Sequence, residues 1–233
     1  MSADEENRAA LVPVPSTALT KAGAKSLVTR SLSDLRDKEE AEEWLRKGTT
    51  LRDIGLFVEA FECFERGIEL NQNHPFLQLY LGISFDSGKG TQQDFTEANY
   101  WYRQAAAQGE PNAQYFLSCQ YLRGEGVDQD MDQVIVWLRK AAEQGMPQAQ
   151  YGMGRYNFSG QLFPQNFAEA ATWFHKSAEQ GNPDAQFHLA YLHQEGLGVP
   201  QDSEQAVIWC QKASEQGHLQ AQSFLGLLRR PQR

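Results

Sequence analysis

Cysteine is scarce in this 233-residue sequence, and hydrophobic runs are short. The three cysteines, Cys63, Cys119 and Cys210, are widely and irregularly spaced, and no two form a CxxC pair. Because disulfide frameworks and zinc sites need paired or clustered cysteines, we expect free thiols and no metal. No stretch approaches about 18 consecutive apolar residues, which excludes a transmembrane helix and predicts no insertion into a membrane.

Positive charge is also scarce. The chain has 21 Lys and Arg against 30 Asp and Glu, a formal net charge of −9. An acidic surface repels phosphate backbones, so the composition argues against nucleic-acid binding. Residues 1–7 carry acidic side chains where a secretory signal needs positive charge followed by an apolar run, which predicts a cytoplasmic protein.

The usual catalytic motifs are missing as well. The sequence has no GxSxG, HExxH, P-loop or dinucleotide fingerprint in a suitable context. Its five histidines are scattered, and even His188 and His193 are too far apart in helical angle to chelate one ion, about 140° from each other. We therefore expect no catalytic activity, no cofactor and no metal site.

A constant period is what the sequence does contain. Trp101, Trp137, Trp173 and Trp209 are 36 residues apart, and four Gln-Gly pairs that begin at Gln108 follow the same spacing. Such a period is typical of a solenoid, in which each unit buries its apolar face only against its neighbours. The tryptophans are therefore predicted to pack between units.

The period divides residues 76–219 into four copies, 76–111, 112–147, 148–183 and 184–219. Each copy reads as helix A, a glycine-bearing loop, helix B and a turn ending in Gln-Gly, with apolar residues at helical spacing. The pattern predicts an all-α fold, an α/α superhelical solenoid of helix-turn-helix repeats. The residues that stand where helix B needs an N-cap are Asp94, Asp130, Asn166 and Asp202.

The ends of the chain depart from the period. Residues 1–38 are predicted to be a flexible arm, with a short amphipathic helix at 26–35 as the alternative. Residues 39–75 have the spacing of one tetratricopeptide repeat, and residues 220–233 read as a capping helix and a tail. The positions that carry the tetratricopeptide spacing are Trp44, Gly48, Leu51, Ala60 and Phe64.

The four copies resemble Sel-one-like repeats (SLR), relatives of the tetratricopeptide repeat with a conserved spacing of small residues, loop glycines, tryptophan and Gln-Gly. Asn157 and His193 depart from the pattern by replacing a core tyrosine. The resemblance implies an α/α superhelix that scaffolds protein complexes, often in bacteria. The second copy supplies Ala113, Leu117, Tyr121, Gly124, Gly126, Val127, Asp130, Trp137, Ala141, Ala142, Gln144 and Gly145.

Comparing the copies with one another separates two faces of helix A. When helix A is counted from Leu77, Ala113, Ala149 or Ala185, positions 0, +1 and +4 hardly change, as repeated packing requires. Positions +3, +6, +7 and +10 vary and form one continuous stripe, which we call the A-helix stripe. The resemblance implies that helix A lines the inner wall, so we expect this stripe to form a concave binding groove. The predicted groove residues are Tyr80, Phe116, Gln120, Arg123, Arg155, Tyr156, His188 and Leu192.

Together these patterns predict a monomeric, non-enzymatic scaffold or adaptor that binds a peptide or protein segment in the groove. Two alternatives stay open. One is a β-lactam-binding hydrolase, an activity associated with some secreted bacterial members of the family that carry cysteine pairs in each repeat. The other is a structural subunit of a bacterial envelope assembly. The sequence does not identify the partner.

Overall fold

The fold is a row of paired helices. A computed structural model describes residues 21–162 and 164–229, with side chains from residue 33 onward, so residues 1–20 of the predicted arm and 230–233 of the predicted tail lie outside it. Its described residues form eleven α-helices and no strand, which confirms the all-α prediction. The helices are α1 (Lys21–Asp53), α2 (Phe57–Leu70), α3 (Pro75–Ser87), α4 (Phe95–Ala107), α5 (Pro111–Arg123), α6 (Met131–Glu143), α7 (Pro147–Ser159), α8 (Phe167–Glu179), α9 (Pro183–Glu195), α10 (Ser203–Glu215) and α11 (Leu219–Leu228).

Each helix packs mainly against the helices next to it in the chain. The odd-numbered helices are the A helices and the even-numbered ones the B helices. An A helix packs most extensively on the B helix of its own repeat, and that B helix then packs on the next A helix. This nearest-neighbour packing is what defines a solenoid. Helix α11 has the place of the predicted terminal A helix.

Helix α1 differs from the predicted flexible arm over residues 1–38. It begins at Lys21 and runs without a break to Asp53, so residues 21–38 are part of the first A helix. Alanine, lysine, leucine and arginine make up most of that stretch, and no proline interrupts it, which favours a helix. The alternative helix at 26–35 lies within α1.

Local side chains determine where the helices begin. All four predicted N-caps of the B helices accept hydrogen bonds from first-turn amides, as in Asp130, whose Oδ1 accepts from the backbone N–H of Gln133 at 3.0 Å. The A helices from α3 to α9 begin with proline, and a side chain just before it caps the helix in α3, α5 and α9. Met146, before α7, forms no such side-chain cap.

Buried glutamines connect successive repeats. The Oε1 of Gln150, on α7, accepts a hydrogen bond from Nε2 of Gln180 at 2.8 Å. The Nε2 of Gln150 donates to the backbone carbonyl of Ala142 in the preceding repeat at 3.3 Å. Gln114 and Gln186 make the equivalent pair of hydrogen bonds, one to the glutamine at the end of their own repeat and one to an alanine carbonyl of the preceding repeat. Because this side chain joins two repeats, position +1 of helix A hardly changes between copies.

The core between the helices matches large side chains with small ones. A Cβ atom added to Gly82 would lie 2.6 Å from the ring of Tyr102, and one added to Gly154 would lie 2.5 Å from the ring of Phe174. Glycine at these two positions therefore lets a B-helix ring lie directly on the A-helix backbone.

The periodic tryptophans pack as the sequence predicts. Trp173 and Trp209 are only 9% and 8% exposed, and Trp101 and Trp137 are half-buried. Trp173 shares an apolar cluster with Leu138 of the preceding copy. The tryptophans therefore seal the contact between consecutive repeats.

Candidate functional site

Two predicted groove residues, Arg123 and Arg155, are exposed on the A-helix stripe. Arg123 Nη1 donates to Glu125 Oε2 at 3.1 Å, an exposed ion pair of the kind that contributes little to stability. The guanidinium carbon of Arg155 lies 5.9 Å from the centroid of the Tyr151 ring, and Arg155 forms no ion pair within the described part of the chain. Both cations are thus accessible to an acidic group on a partner.

Tyr80 and Phe116 are half-buried because each ring stacks on the B helix of the preceding repeat. The rings of Tyr80 and Phe64 are 5.0 Å apart and almost parallel, at 11°. Phe116 lies 5.3 Å from Tyr102 at 25°. One face of each ring is therefore used in packing between repeats. The guanidinium carbon of Arg52 also lies 4.5 Å from the centroid of the Tyr80 ring, so part of that ring is covered from within the chain.

His188 has the same position in the fourth copy, and its ring lies 4.9 Å from that of Phe174. Its Nδ1 is 2.9 Å from the backbone carbonyl of Asp184, which makes Nδ1 the protonated nitrogen and the donor. Burial among aromatic rings lowers the pKa of His188, and the nearby Arg155 lowers it further. The imidazole is therefore a neutral packing group that resembles the tyrosine and phenylalanine of the other copies.

Gln120 and Leu192, which we predicted to line the groove, are buried instead: 2% and 0% exposed. The Oε1 of Gln120 accepts a hydrogen bond from Asn99 Nδ2 at 2.9 Å, and its Nε2 lies 3.4 Å from Asp86 Oδ1. Leu192 belongs to the apolar core of the fourth copy. Position +7 therefore points towards the preceding B helix in these copies, and neither side chain reaches a partner on the surface.

Tyr156, also at position +7, is half-buried and borders a cleft of about 630 Å³ between α5, α6 and α7. That volume is within the roughly 300–1,000 Å³ of typical ligand pockets. The cleft brings Tyr156 and Arg155 together, whereas Tyr80 and His188 lie in other repeats. The described lining residues include Tyr115, Cys119, Leu122, Met131, Leu138, Tyr151, Gly152, Arg155, Tyr156 and Leu162.

The cleft lies where a repeated ring stack is interrupted. Position +3 of helix A is aromatic in the other three copies, and its ring lies against an aromatic ring of the preceding B helix. In the third copy position +3 is Gly152, and the B-helix residue beneath it is Leu138. The contact between α6 and α7 therefore lacks the two rings found in the other repeats, and the cleft lies beside that contact.

The cleft contains hydroxyl and thiol groups that stay neutral. Burial raises the pKa of Tyr115 to about 12, and it also raises the pKa values of Tyr151 and Tyr156. Burial likewise raises the pKa of the Cys119 thiol. Among the described lining residues, Arg155 alone carries a charge.

Other kinds of site find little support among the described residues. No group of three or more His, Cys, Asp or Glu side chains there is arranged to hold a metal ion. None of the helices in the described ranges is long and apolar enough to cross a membrane.

Sequence profiles of protein families identify the repeats. The Sel1 repeat profile matches residues 33–53, 75–110, 111–146, 147–182 and 183–218. The four complete matches begin one residue before the copies defined by the period. The shorter match falls in α1 and overlaps the unit in which the tetratricopeptide spacing occurs.

Solved structures agree with this match. A Sel1 repeat protein from Oxalobacter formigenes is 38% identical over 74% of this chain and 49% of its own, with a TM-score of 0.70. The antigen c5321 of uropathogenic Escherichia coli, described as having an SLR fold, is 31% identical over 86% of this chain and 42% of its own, with a TM-score of 0.73. The chain thus spans less than half the length of either structure. No curated protein matches the sequence.

Repeats of this kind generally mediate protein–protein interactions and generally form non-enzymatic scaffolds. The profile matches cover most of the chain, and the helix pairs stack as such repeats do. The chain belongs to the Sel1 repeat family.

Proposed function

We propose that this chain is a monomeric, non-enzymatic cytoplasmic scaffold or adaptor that holds a segment of a partner protein against the A-helix stripe. The observation that carries the proposal is the exposure of Arg123 and Arg155 beside half-buried aromatic rings, on a chain of net charge −9. Arginine and aromatic side chains supply most of the binding energy in protein interfaces. A surface kept only for solubility has no need of this combination.

The half-buried rings are suited to binding because packing already holds them in place. Tyr80 and Phe116 stack on the preceding B helix, so little side-chain entropy is lost when a partner covers their free surface. The buried Gln120 and Leu192 support this surface and do not contact the partner. The proposed contact residues are Tyr80, Phe116, Arg123, Arg155, Tyr156 and His188.

Electrostatics indicates the kind of partner. The overall negative charge disfavours nucleic acid, whereas Arg123 on α5 and Arg155 on α7 are exposed cations. A protein segment with carboxylates would be attracted to these arginines and oriented by them during encounter.

Affinity capture with the intact chain tests the proposal. The chain would be immobilised, incubated with extract from its source organism, and the retained proteins identified by mass spectrometry. We expect a partner whose binding is weakened by about 1–2 kcal/mol by Arg123→Glu or Arg155→Glu. Far-UV circular dichroism would verify that each variant keeps its helices.

Arg66→Glu is the matched control. Arg66 is an exposed arginine on B helix α2, and it pairs with Glu69 at 3.2 Å much as Arg123 pairs with Glu125. A partner lost equally from Arg66→Glu and the stripe variants would contradict the proposal, as would one retained by all of them. Turnover of nitrocefin by the purified chain, absent from a mock purification, would contradict its non-enzymatic part.

A further inference from the structure

We propose that the cleft between α5, α6 and α7 receives one aromatic side chain of the partner segment, and that Arg155 binds a carboxylate next to that side chain. This inference rests on the proposed function and adds the chemistry of the ligand to it. The occupant is thus a protein segment in which Trp, Phe or Tyr lies within two residues of Asp or Glu.

The shape of the cleft supports an aromatic occupant. In the other three copies, position +3 of helix A places a ring against the ring of the preceding B helix, at centroid distances of 4.9 to 5.3 Å. Gly152 and Leu138 leave that position without rings. A ring supplied by a partner would take the place of the missing A-helix ring and pack on Leu138, and the cleft of about 630 Å³ also has room for the adjoining backbone.

The chemistry of the walls supports the same occupant. Tyr115, Tyr151 and Tyr156 offer ring faces and edges, Met131 a polarizable thioether, and Leu162 an aliphatic surface. Aromatic rings pack favourably against each of these groups. The tyrosine hydroxyls are neutral at neutral pH, and burial raises their pKa values further, so they can donate hydrogen bonds to the segment's carbonyl groups.

Charge supports a neighbouring carboxylate. The described lining residues include Arg155 and no Asp or Glu, although the chain has 30 acidic residues in all. Arg155 lies at the border of the cleft without an ion-pair partner in the described part of the chain. An acidic residue beside the aromatic anchor would therefore pair with an unused cation, whereas a basic residue would be repelled.

The terminal segments of this chain do not have the required composition. Residues 1–20 and 230–233 contain no aromatic side chain, so neither supplies the anchor. The aromatic side chain could still come from a second copy of this chain, and a test for self-association distinguishes that case from binding of a different protein.

Peptide display tests the inference. A phage library of random 12-residue peptides would be selected on the intact protein. We expect the enriched peptides to share an aromatic residue with Asp or Glu within two positions. Fluorescence anisotropy would then give their affinities for the wild type and for each variant.

Gly152→Phe places a ring in the cleft, as the other copies do, and should weaken binding at least about tenfold. Arg155→Gln removes the cation and should weaken it about three- to tenfold, with a smaller effect at high salt. Arg66→Gln is the control and should leave the affinity unchanged. A Cβ at position 152 would lie 3.2 Å from Leu138, so thermal melting must show that Gly152→Phe folds. If it does not, Arg155→Gln and amide chemical-shift changes confined to residues 115–122, 131–138 and 148–162 decide the question.

Several outcomes overturn the inference. One is enrichment of peptides without an acidic or aromatic residue, and another is equal affinity for the wild type and Gly152→Phe. Concentration-dependent self-association that Gly152→Phe abolishes would make a second copy the occupant. A captured partner that is lost from Arg123→Glu and retained by Gly152→Phe would preserve the proposed function and reject the cleft as its anchor site. Selection that enriches no peptide would also reject it.

Discussion

The residues just before the B helices act locally, through one or two hydrogen bonds each. Asp130 Oδ1 accepts from the backbone N–H of Gln133 at 3.0 Å and satisfies an amide at the start of α6. Asp130→Ala should lower the free energy of unfolding by about 1 kcal/mol, measured by urea denaturation. Asp128→Ala, an exposed change in the preceding loop, should have almost no effect. Equal losses from the two variants would contradict the assignment of Asp130 as the cap.

His188 makes stability depend on pH. Its pKa in the folded chain is below the ordinary value, mainly because burial disfavours the charged form. The unfolded chain therefore binds more protons, and this contribution to stability is present above about pH 6.5 and is lost as the pH falls below it. His188→Phe keeps a ring on Phe174 and does not titrate. As the pH falls from 7.5 to 5.0, we expect the free energy of unfolding of His188→Phe, measured by urea denaturation, to increase relative to that of the wild type. Parallel pH profiles would contradict this explanation.

The sequence predicts some side-chain roles in the A-helix stripe correctly and others wrongly. The caps were predictable because a cap depends only on neighbours in the chain. Gln120 and Leu192 were placed on the exposed stripe because helix geometry gives a direction and does not show how closely the preceding B helix approaches. A comparison of side chains between the copies does not point to Gly152, because glycine has none. The signal was a glycine where the other copies have rings.

Helix pairs were predictable from the period, and their boundaries from the caps, glycines and prolines. The length of α1 was not, because residues 21–38 have no repeat with which to be compared. The contacts that join one helix pair to the next could be predicted only in part from the sequence. The constancy of position +1 indicated packing, but the hydrogen bonds of Gln150 to Gln180 and Ala142 became clear only in three dimensions.

The Gln150 contacts lead to a prediction about neighbouring repeats. Gln150→Ala would remove a buried side chain and with it two hydrogen bonds, one to Gln180 and one to the carbonyl of Ala142. The free energy of unfolding should fall by about 1–3 kcal/mol, measured by urea denaturation. Gln148→Ala, an exposed change on the same helix, is the control and should cost much less. If the two variants are equally stable, the buried glutamine does not hold the repeats together.

The molecule as a whole is a linear array in which each repeat contacts its neighbours. A local change in the stripe therefore alters binding without disturbing distant repeats, provided that the changed side chain is not part of the core. Tyr156 does not meet that condition, because it packs in two apolar clusters. Tyr156→Ala should lower the melting temperature as well as the affinity, which makes Arg123 and Arg155 the better positions for testing function.

Site-specific photo-crosslinking in living cells tests most directly whether partners bind the A-helix stripe. A benzophenone amino acid would replace Arg123 on the stripe in one variant and Val136, an exposed residue of B helix α6, in another. The account predicts a discrete crosslinked protein from position 123 and none from position 136. A crosslink from position 136 together with none from position 123 would place the partner on the B helices and contradict the account.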